Sequence, residues 1–118
     1  MSQAKIHEKA FSSDADQRRE GARLLTWEYY RLEDKETAWK DLHRLTRDQD
    51  SQVREQAAIA LGSAFQFVPD KKAAWKDLRT LFRDQDSHVR GEAAKALGVA
   101  FQNVPDKKAA WKDLHTLS

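Results

Sequence analysis

The amino-acid sequence predicts an all-α solenoid of about three and a half helical hairpins, or about seven antiparallel helices, in a single domain over residues 1–118. Three observations carry this. Trp39 to Ala74 is repeated as Trp75 to Ala110, with differences at only nine of 36 positions: 43/79, 44/80, 46/82, 52/88, 55/91, 56/92, 59/95, 63/99 and 67/103. Within each copy, apolar residues recur at three- and four-residue spacing in two runs separated by turn chemistry, the pattern of two amphipathic helices. A helical pair of this size cannot bury its apolar face alone, so it stacks on its neighbours. The units fall at about 3–38, 39–74 and 75–110, with a lone last helix over about 106–117.

Composition agrees with a thin, two-layer core. Charged residues make up 34% of the chain and apolar residues 40%, and the apolar ones are regularly spaced rather than sparse, which separates this chain from a disordered one. Lys and Arg number 21 against 19 Asp and Glu, a balance too even to make nucleic acid the default partner. The absence of cysteine excludes disulfides and thiolate metal sites. The polar opening MSQAKIHEKAF lacks the apolar core of a secretory signal, and no run approaches the roughly 20 apolar residues of a membrane span. The expectation is a soluble, cytoplasmic protein with no membrane contact.

Shifted back by 36 residues, the repeat reveals a degenerate first copy: Ile6 under Leu42, Asp14 under Asp50, Arg18 under Arg54, Ala22 under Ala58, Leu25 under Leu61 and Tyr29 under Phe65. Its first helix, over about Gln3 to Ser12, has Gln3 and Lys9 where later units have Trp39 and Leu45, as befits an end helix with one face in water. The second helix, about Asp14 to Arg31, carries Ala15, Ala22, Leu25, Tyr29 and Leu32, is capped by Asp14 and is slightly weakened by Gly21. Glu33 and Asp34 lead into the third, where Trp39, Leu42 and Leu45 form the stripe, Lys40, Asp41 and Arg44 face outward, and Arg47 suits the C-terminus.

Asp50 opens the fourth helix, with Val53, Ala57, Leu61, Ala64, Phe65 and Val68 inward. Ala57, Ala58, Ala60 and Ala64 are small enough for a neighbouring helix to approach closely. Pro69 steers Val68 away from helical dihedrals and ends the element, and Asp70 caps the next. The following copy repeats the scheme over about Asp70 to Arg83 and Asp86 to Asn103, with a break at Val104-Pro105. A seventh helix bears Trp111, Leu114 and Leu117, an internal-type stripe with no second helix after it and no polar replacements, so this end is expected to be uncapped. Trp39, Trp75 and Trp111 share one register and are expected to be packing residues.

The strings DQDSQVREQAAIALG and DQDSHVRGEAAKALG, and more loosely DADQRREGARLL, resemble the second half of a HEAT-like repeat of the short, phycocyanobilin-lyase type. The resemblance covers essentially the whole chain and departs at Gln17, where Val53 and Val89 stand in the other units. It implies a right-handed solenoid whose second helices line a concave side. It also implies an Asp/Arg ladder between repeats, carried here by Asp14, Asp50 and Asp86 with Arg18, Arg54 and Arg90. The tetratricopeptide repeat competes through Trp39-Lys40-Asp41-Leu42, but its glycine is replaced by His43, Arg79 and His115, and its tyrosine position is not met.

Little in the chain points to chemistry. His7-Glu8 is one His-Glu pair where iron-binding HEAT-type hydroxylases need several. Asp48, Asp50 and Ser51 lack the glycine turn and closing glutamate of a calcium loop and read as caps. His43 and His115 alternate with Arg79, and His88 with Gln52 and Asp16, which suits exposed sites better than a metal cage. The pairs Lys71-Lys72 and Lys107-Lys108 read as solvated charge beside Asp70 and Asp106. No nucleophile elbow or phosphate loop exists, so neither enzyme activity nor a cofactor is expected.

What remains is the place where the two good copies diverge. On the second helices the differing positions share one arc opposite the buried stripe, at about 100° per residue. Its rows run Asp16, Gln52, His88; Arg19, Glu55, Gly91; Glu20, Gln56, Glu92; Arg23, Ile59, Lys95; and Trp27, Ser63, Val99. Exposed faces drift in any repeat protein, yet Trp27, Ile59, Phe67 and Val99 have no packing reason to lie there. The sequence therefore predicts a non-catalytic scaffold for an unidentified protein or peptide, with Arg19, Arg23, Trp27, Gln52, Glu55, Ile59, Ser63, His88, Lys95 and Val99 as its contact residues. Two alternatives stand beside it. One is a DNA-binding protein related to the HEAT-like alkylpurine DNA glycosylases, which use longer and more basic arrays. The other is a capping fragment of a longer array that self-associates through the bare last helix.

Overall fold

The computed structural model describes residues 1–117, the side chain of Leu117 excepted, so the expected place of Leu117 in the last stripe lies outside the described residues. The helices are α1 (Gln3–Ala10), α2 (Ala15–Glu28), α3 (Lys35–Leu45), α4 (Ser51–Ala64), α5 (Lys71–Phe82), α6 (Ser87–Ala100) and α7 (Lys107–Leu117). Each of α2, α4 and α6 runs into a 3₁₀ turn, Tyr29–Arg31, Phe65–Phe67 and Phe101–Asn103. Among the described residues there is no strand.

Every helix start follows from a side chain that satisfies amides with no intrahelical partner. Ser2 accepts from the Lys5 N–H at 3.2 Å. Asp14, Asp50 and Asp86 accept from amides two or three residues on, and Asp34, Asp70 and Asp106 from the amides of Thr37, Ala73 and Ala109. Each such cap contributes about 1 kcal/mol. Lys35, Lys71 and Lys107 reach back to carbonyls of the preceding turn, those of Tyr30, Val68 and Gln102. That is the work of the first lysine of each basic pair.

The second helices end where Leu32, Val68 and Val104 turn extended, with ψ of 135°, 143° and 145°. Proline follows the latter two, which accounts for their dihedrals. Leu32 adopts the same conformation before Glu33, so the buried side chain and the 3₁₀ turn suffice without proline.

The molecule is a flat stack with extents of 38 × 30 × 17 Å, the thickness of two helix layers about 8–10 Å apart. In one layer α2, α4 and α6 lie side by side in the most extensive contacts of the fold; in the other, α1, α3 and α5 meet one another far less. Small residues allow the tight layer: Ala57, Ala58, Ala60 and Ala64 are all buried, and a Cβ on Gly62 would come within 2.9 Å of the Ala96 Cβ. Gly21 has a similar cause, since its Cβ would sit 2.9 Å from the Ala10 backbone nitrogen. Two expectations need correction. Trp39 and Trp75 are buried at 7% and 6%, but Trp111 is 63% exposed: Trp75 is covered by Phe65 and by α7, where Asp113 accepts from its Nε1, and among the described residues no helix follows α7 to cover Trp111 in the same way. Asp41, expected to face water, is 2% exposed.

Candidate binding surface

Two ladders of polar contacts cross the stack and mark the residues that stacking has already claimed. In the first, Arg18 forks onto Asp48 of the next unit (Nε to Oδ2 2.8 Å, Nη2 to Oδ1 3.2 Å), and Arg54 onto Asp84 (2.8 and 3.1 Å). The same guanidinium groups hold carbonyls of their own unit, Ser12 and Ser13 for Arg18, Asp48 and Gln49 for Arg54. The arginines thus reach the next repeat, but their acceptor is not the aspartate the resemblance implies. Asp14, Asp50 and Asp86 spend their carboxylates on caps; Asp50 and Asp86 meet the ladder through their own N–H groups, which donate to Asp48 and Asp84. Burial works against the charged form of Asp84, yet hydrogen bonds from Arg54 and the Asp86 amide outweigh it and hold the carboxyl below the usual range. Arg90 keeps the carbonyl contacts, to Asp84 and Gln85.

The second ladder escaped the sequence. His7 Nδ1 lies 2.8 Å from Asp41 Oδ2, and His43 Nδ1 2.6 Å from Asp77 Oδ2. In the third step Arg79 takes the histidine's place 3.6 Å from Asp113, which also accepts from Trp75 Nε1 at 3.0 Å. The exchange of histidine for arginine therefore preserves a donor for a carboxylate of the next unit and does not mark a free surface site. Arg79 is the poorer fit, leaving its buried Nε without a hydrogen-bond partner. Burial raises the Asp77 carboxyl above its ordinary value even with His43 beside it. His7, half of the His-Glu pair, is engaged here. Among the described residues no cluster of potential ligands could hold a metal ion.

Outside both ladders lies the arc singled out by the diverging copies. None of its fifteen positions is buried, from Asp16, Gln52 and His88 at the helix starts to Trp27, Ser63 and Val99 at their ends. Trp27 is 67% exposed and Val99 63%. Between α4 and α6 the surface dips into a groove lined by Ile59, Gly62, Ser63, Glu92, Lys95, Ala96 and Val99. Several charges are locally matched: Arg19 with Asp16 at 3.0 Å, Arg23 with Glu20 at 2.5 Å, Lys95 with Glu92 at 3.3 Å. Arg19 also reaches across to Gln52. The structure thus brings Ile59, Ser63, Lys95 and Val99 around one groove and joins Arg19 to Gln52; Glu55 and His88 lie on the arc outside that groove.

One aromatic was missed. Tyr30, 60% exposed, lies 6.4 Å from Phe67, ring centre to ring centre, and extends the apolar end of the face. Its counterparts in the later units are Gln66 and Gln102, so a polar-to-aromatic change at an outward position was the available signal.

Helical hairpins stacked in two layers and cross-linked at a fixed interval define an α-helical repeat solenoid. Comparison with family models narrows the class: the model for HEAT repeats matches residues 5–98 and again 42–114. The chain belongs to the HEAT repeat family. A search of curated proteins finds no match to it. Among the described residues, no helix is long and apolar enough to cross a membrane.

Proposed function

We propose that this protein is a non-catalytic scaffold that binds a protein or peptide through the exposed face of α2, α4 and α6. The family supports the coarse reading, since HEAT repeats are commonly used as interaction scaffolds. The observation that carries the finer one is Trp27, a large aromatic standing 67% in solvent on the arc where the duplicated units diverge. Exposed tryptophan at the end of a helix row is costly to leave in water and is a favoured anchor in interfaces. Val99, Phe67 and Tyr30 widen the apolar area, while Arg23, Glu55 and Lys95 supply a polar surround of mixed sign. A layer of closely packed helices joined to a looser one bends toward the tight side, which supports α2, α4 and α6 as the inner, concave layer.

The mixed charge speaks against a groove that tracks phosphates, which requires a row of cations. Affinity capture from a native lysate tests the proposal, with Trp27→Ala plus Ile59→Glu as the comparison. A protein retained by the wild type and lost from the double variant, at unchanged thermal stability, supports it. Tight, steeply salt-dependent binding of labelled duplex DNA would replace it with the nucleic-acid reading.

A further inference from the structure

We infer that the cleft between α5 and α7 binds a small organic phosphate, a phosphate monoester dianion attached to a flat apolar group. Its walls come from α5, α7 and the segment 104–106, so it stands outside the face of α2, α4 and α6, and its volume of about 360 Å³ is that of a small-molecule site. Trp75, Pro105 and Ala109 supply the apolar wall. Six charged side chains line the rest, and what each already does separates them. Lys71 donates to the Val68 carbonyl at 3.2 Å, Asp106 caps the Ala109 amide at 3.0 Å, and Asp113 accepts from Trp75 Nε1 at 3.0 Å. Lys72, Lys76 and Arg79 remain. Among the described residues the two lysines make no hydrogen bond or ion pair, and Arg79 makes no hydrogen bond, its nearest carboxylate oxygen standing 3.6 Å away on Asp113. A contact that long, part-open to water, contributes little, so an incoming anion can take the guanidinium over. Every uncommitted charge in the cleft is positive.

Folding alone disfavours this arrangement. Lys72, Lys76 and Arg79 follow one another at four- and three-residue spacing, so like charges stand one above the next on α5. Lys72 also lies in the first turn, where the helix dipole repels a cation. The preceding unit shows that the fold manages without the stripe. There Trp39, Pro69 and Ala73 repeat the wall, but Glu36 stands in place of Lys72 and His43 in place of Arg79, with His43 held on Asp77 at 2.6 Å. Two lysines and a histidine face three carboxylates at those six positions; between α5 and α7, four cations face two carboxylates. The wall is constant and the charge has changed, in the direction an anion requires. Three uncommitted cations match a group with three acceptor oxygens and nearly two charges better than a single carboxylate. The edge of the Trp75 indole suits a flat group beyond the phosphate.

Phenyl phosphate is the probe, titrated at low salt into the full chain while the Trp75 indole N–H is followed by NMR, with calorimetry alongside. Saturable binding that moves this resonance is expected, about threefold or more tighter than inorganic phosphate, which lacks the ring, and about tenfold or more tighter than benzoate, which has one charge. Lys72→Glu plus Arg79→His gives the cleft the residues of its counterpart between α3 and α5, so the melting temperature should hold while affinity falls about tenfold or more. Lys76→Gln, at an exposed position that touches neither the wall nor Asp113, should weaken binding about threefold and keeps the test independent of the double variant's stability. No saturable binding up to about 10 mM would overturn the proposal. Affinity unchanged by both sets of substitutions would do the same, as would equal affinity for phenyl phosphate, inorganic phosphate and benzoate.

Discussion

Replacing Arg54 by methionine removes one side chain that holds two repeats together, and the duplicated sequence supplies its own control. Arg54 makes four hydrogen bonds, two to the Asp84 carboxylate and two to the carbonyls of Asp48 and Gln49. The two charged groups retain only 12% and 11% exposure, so the substitution strands a carboxylate that water reaches poorly. Breaking a buried pair from one side costs about 3–5 kcal/mol. Residual access and the surviving bond from the Asp86 amide place this case near the lower end, at about 3 kcal/mol. Arg90 occupies the same repeat position but is exposed and bonds only the carbonyls of Asp84 and Gln85, so Arg90→Met should cost about 1 kcal/mol or less. Urea denaturation of both variants, with Asp84→Asn completing a double-mutant cycle, measures the difference. Equal losses at Arg54 and Arg90, or a coupling to Asp84 below about 0.5 kcal/mol, would refute the ladder as a link between repeats.

The tryptophans should separate likewise: Trp75→Ala is expected to cost about 3–5 kcal/mol, whereas Trp111→Ala, on exposed surface, should stay within about 0.5 kcal/mol by thermal melting. Gly21→Ala drives a methyl into the α1 backbone, and a clash of about 1–3 kcal/mol exceeds the helix-propensity gain of about 1 kcal/mol, giving a net loss. Gly91→Ala meets nothing within 4 Å and should stabilise α6 by about 0.5–1 kcal/mol; opposite signs in the two melts are the check. Acid titration should show two slopes. Asp84, with its folded value lowered from 3.8, contributes stability present above about pH 4 and lost as pH falls through the folded value, so Asp84→Asn flattens the acid limb. Asp77, raised by burial, binds its proton more readily when folded and contributes less as pH rises from about 4, so Asp77→Asn steepens that limb in melts recorded between about pH 3 and 6.

Much of the fold could be read from the chain because a tandem copy converts pattern into architecture. Trp39, Leu42, Val53, Ala57 and Leu61 keep helical spacing and recur 36 residues on, which requires helices that stack. The ends of the second helices were less legible, since periodicity does not distinguish the last α-helical turn from the 3₁₀ turn that places Tyr29 and Phe65. Asp41 was misread, and Asp77 passed over, because an amphipathic pattern assigns charge to the outside. Their burial depends on His7 and His43, each 34 residues away in the preceding unit, and no single helix contains that pairing. The invariance of aspartate at 41, 77 and 113 beside a varying 43 and 79 was the signal that could have revealed it. Tyr30 was passed over since it lies in the degenerate first copy, where a difference carries little weight. The exposure of Trp111 depends on a neighbour, which a stripe within one helix does not record.

The central claim is that the divergent face of the second helices recognises a partner while the repeated interior only stacks. The most direct measurement compares quantitative capture by three proteins of equal melting temperature: the wild type, Trp27→Ala plus Ile59→Glu, and a control altered at exposed positions of the first helices, Lys40→Glu plus Thr80→Glu. The account predicts that the first-helix variant retains the captured protein and the second-helix variant loses it. Capture that survives on the second-helix variant, or fails on the first-helix one, would contradict it.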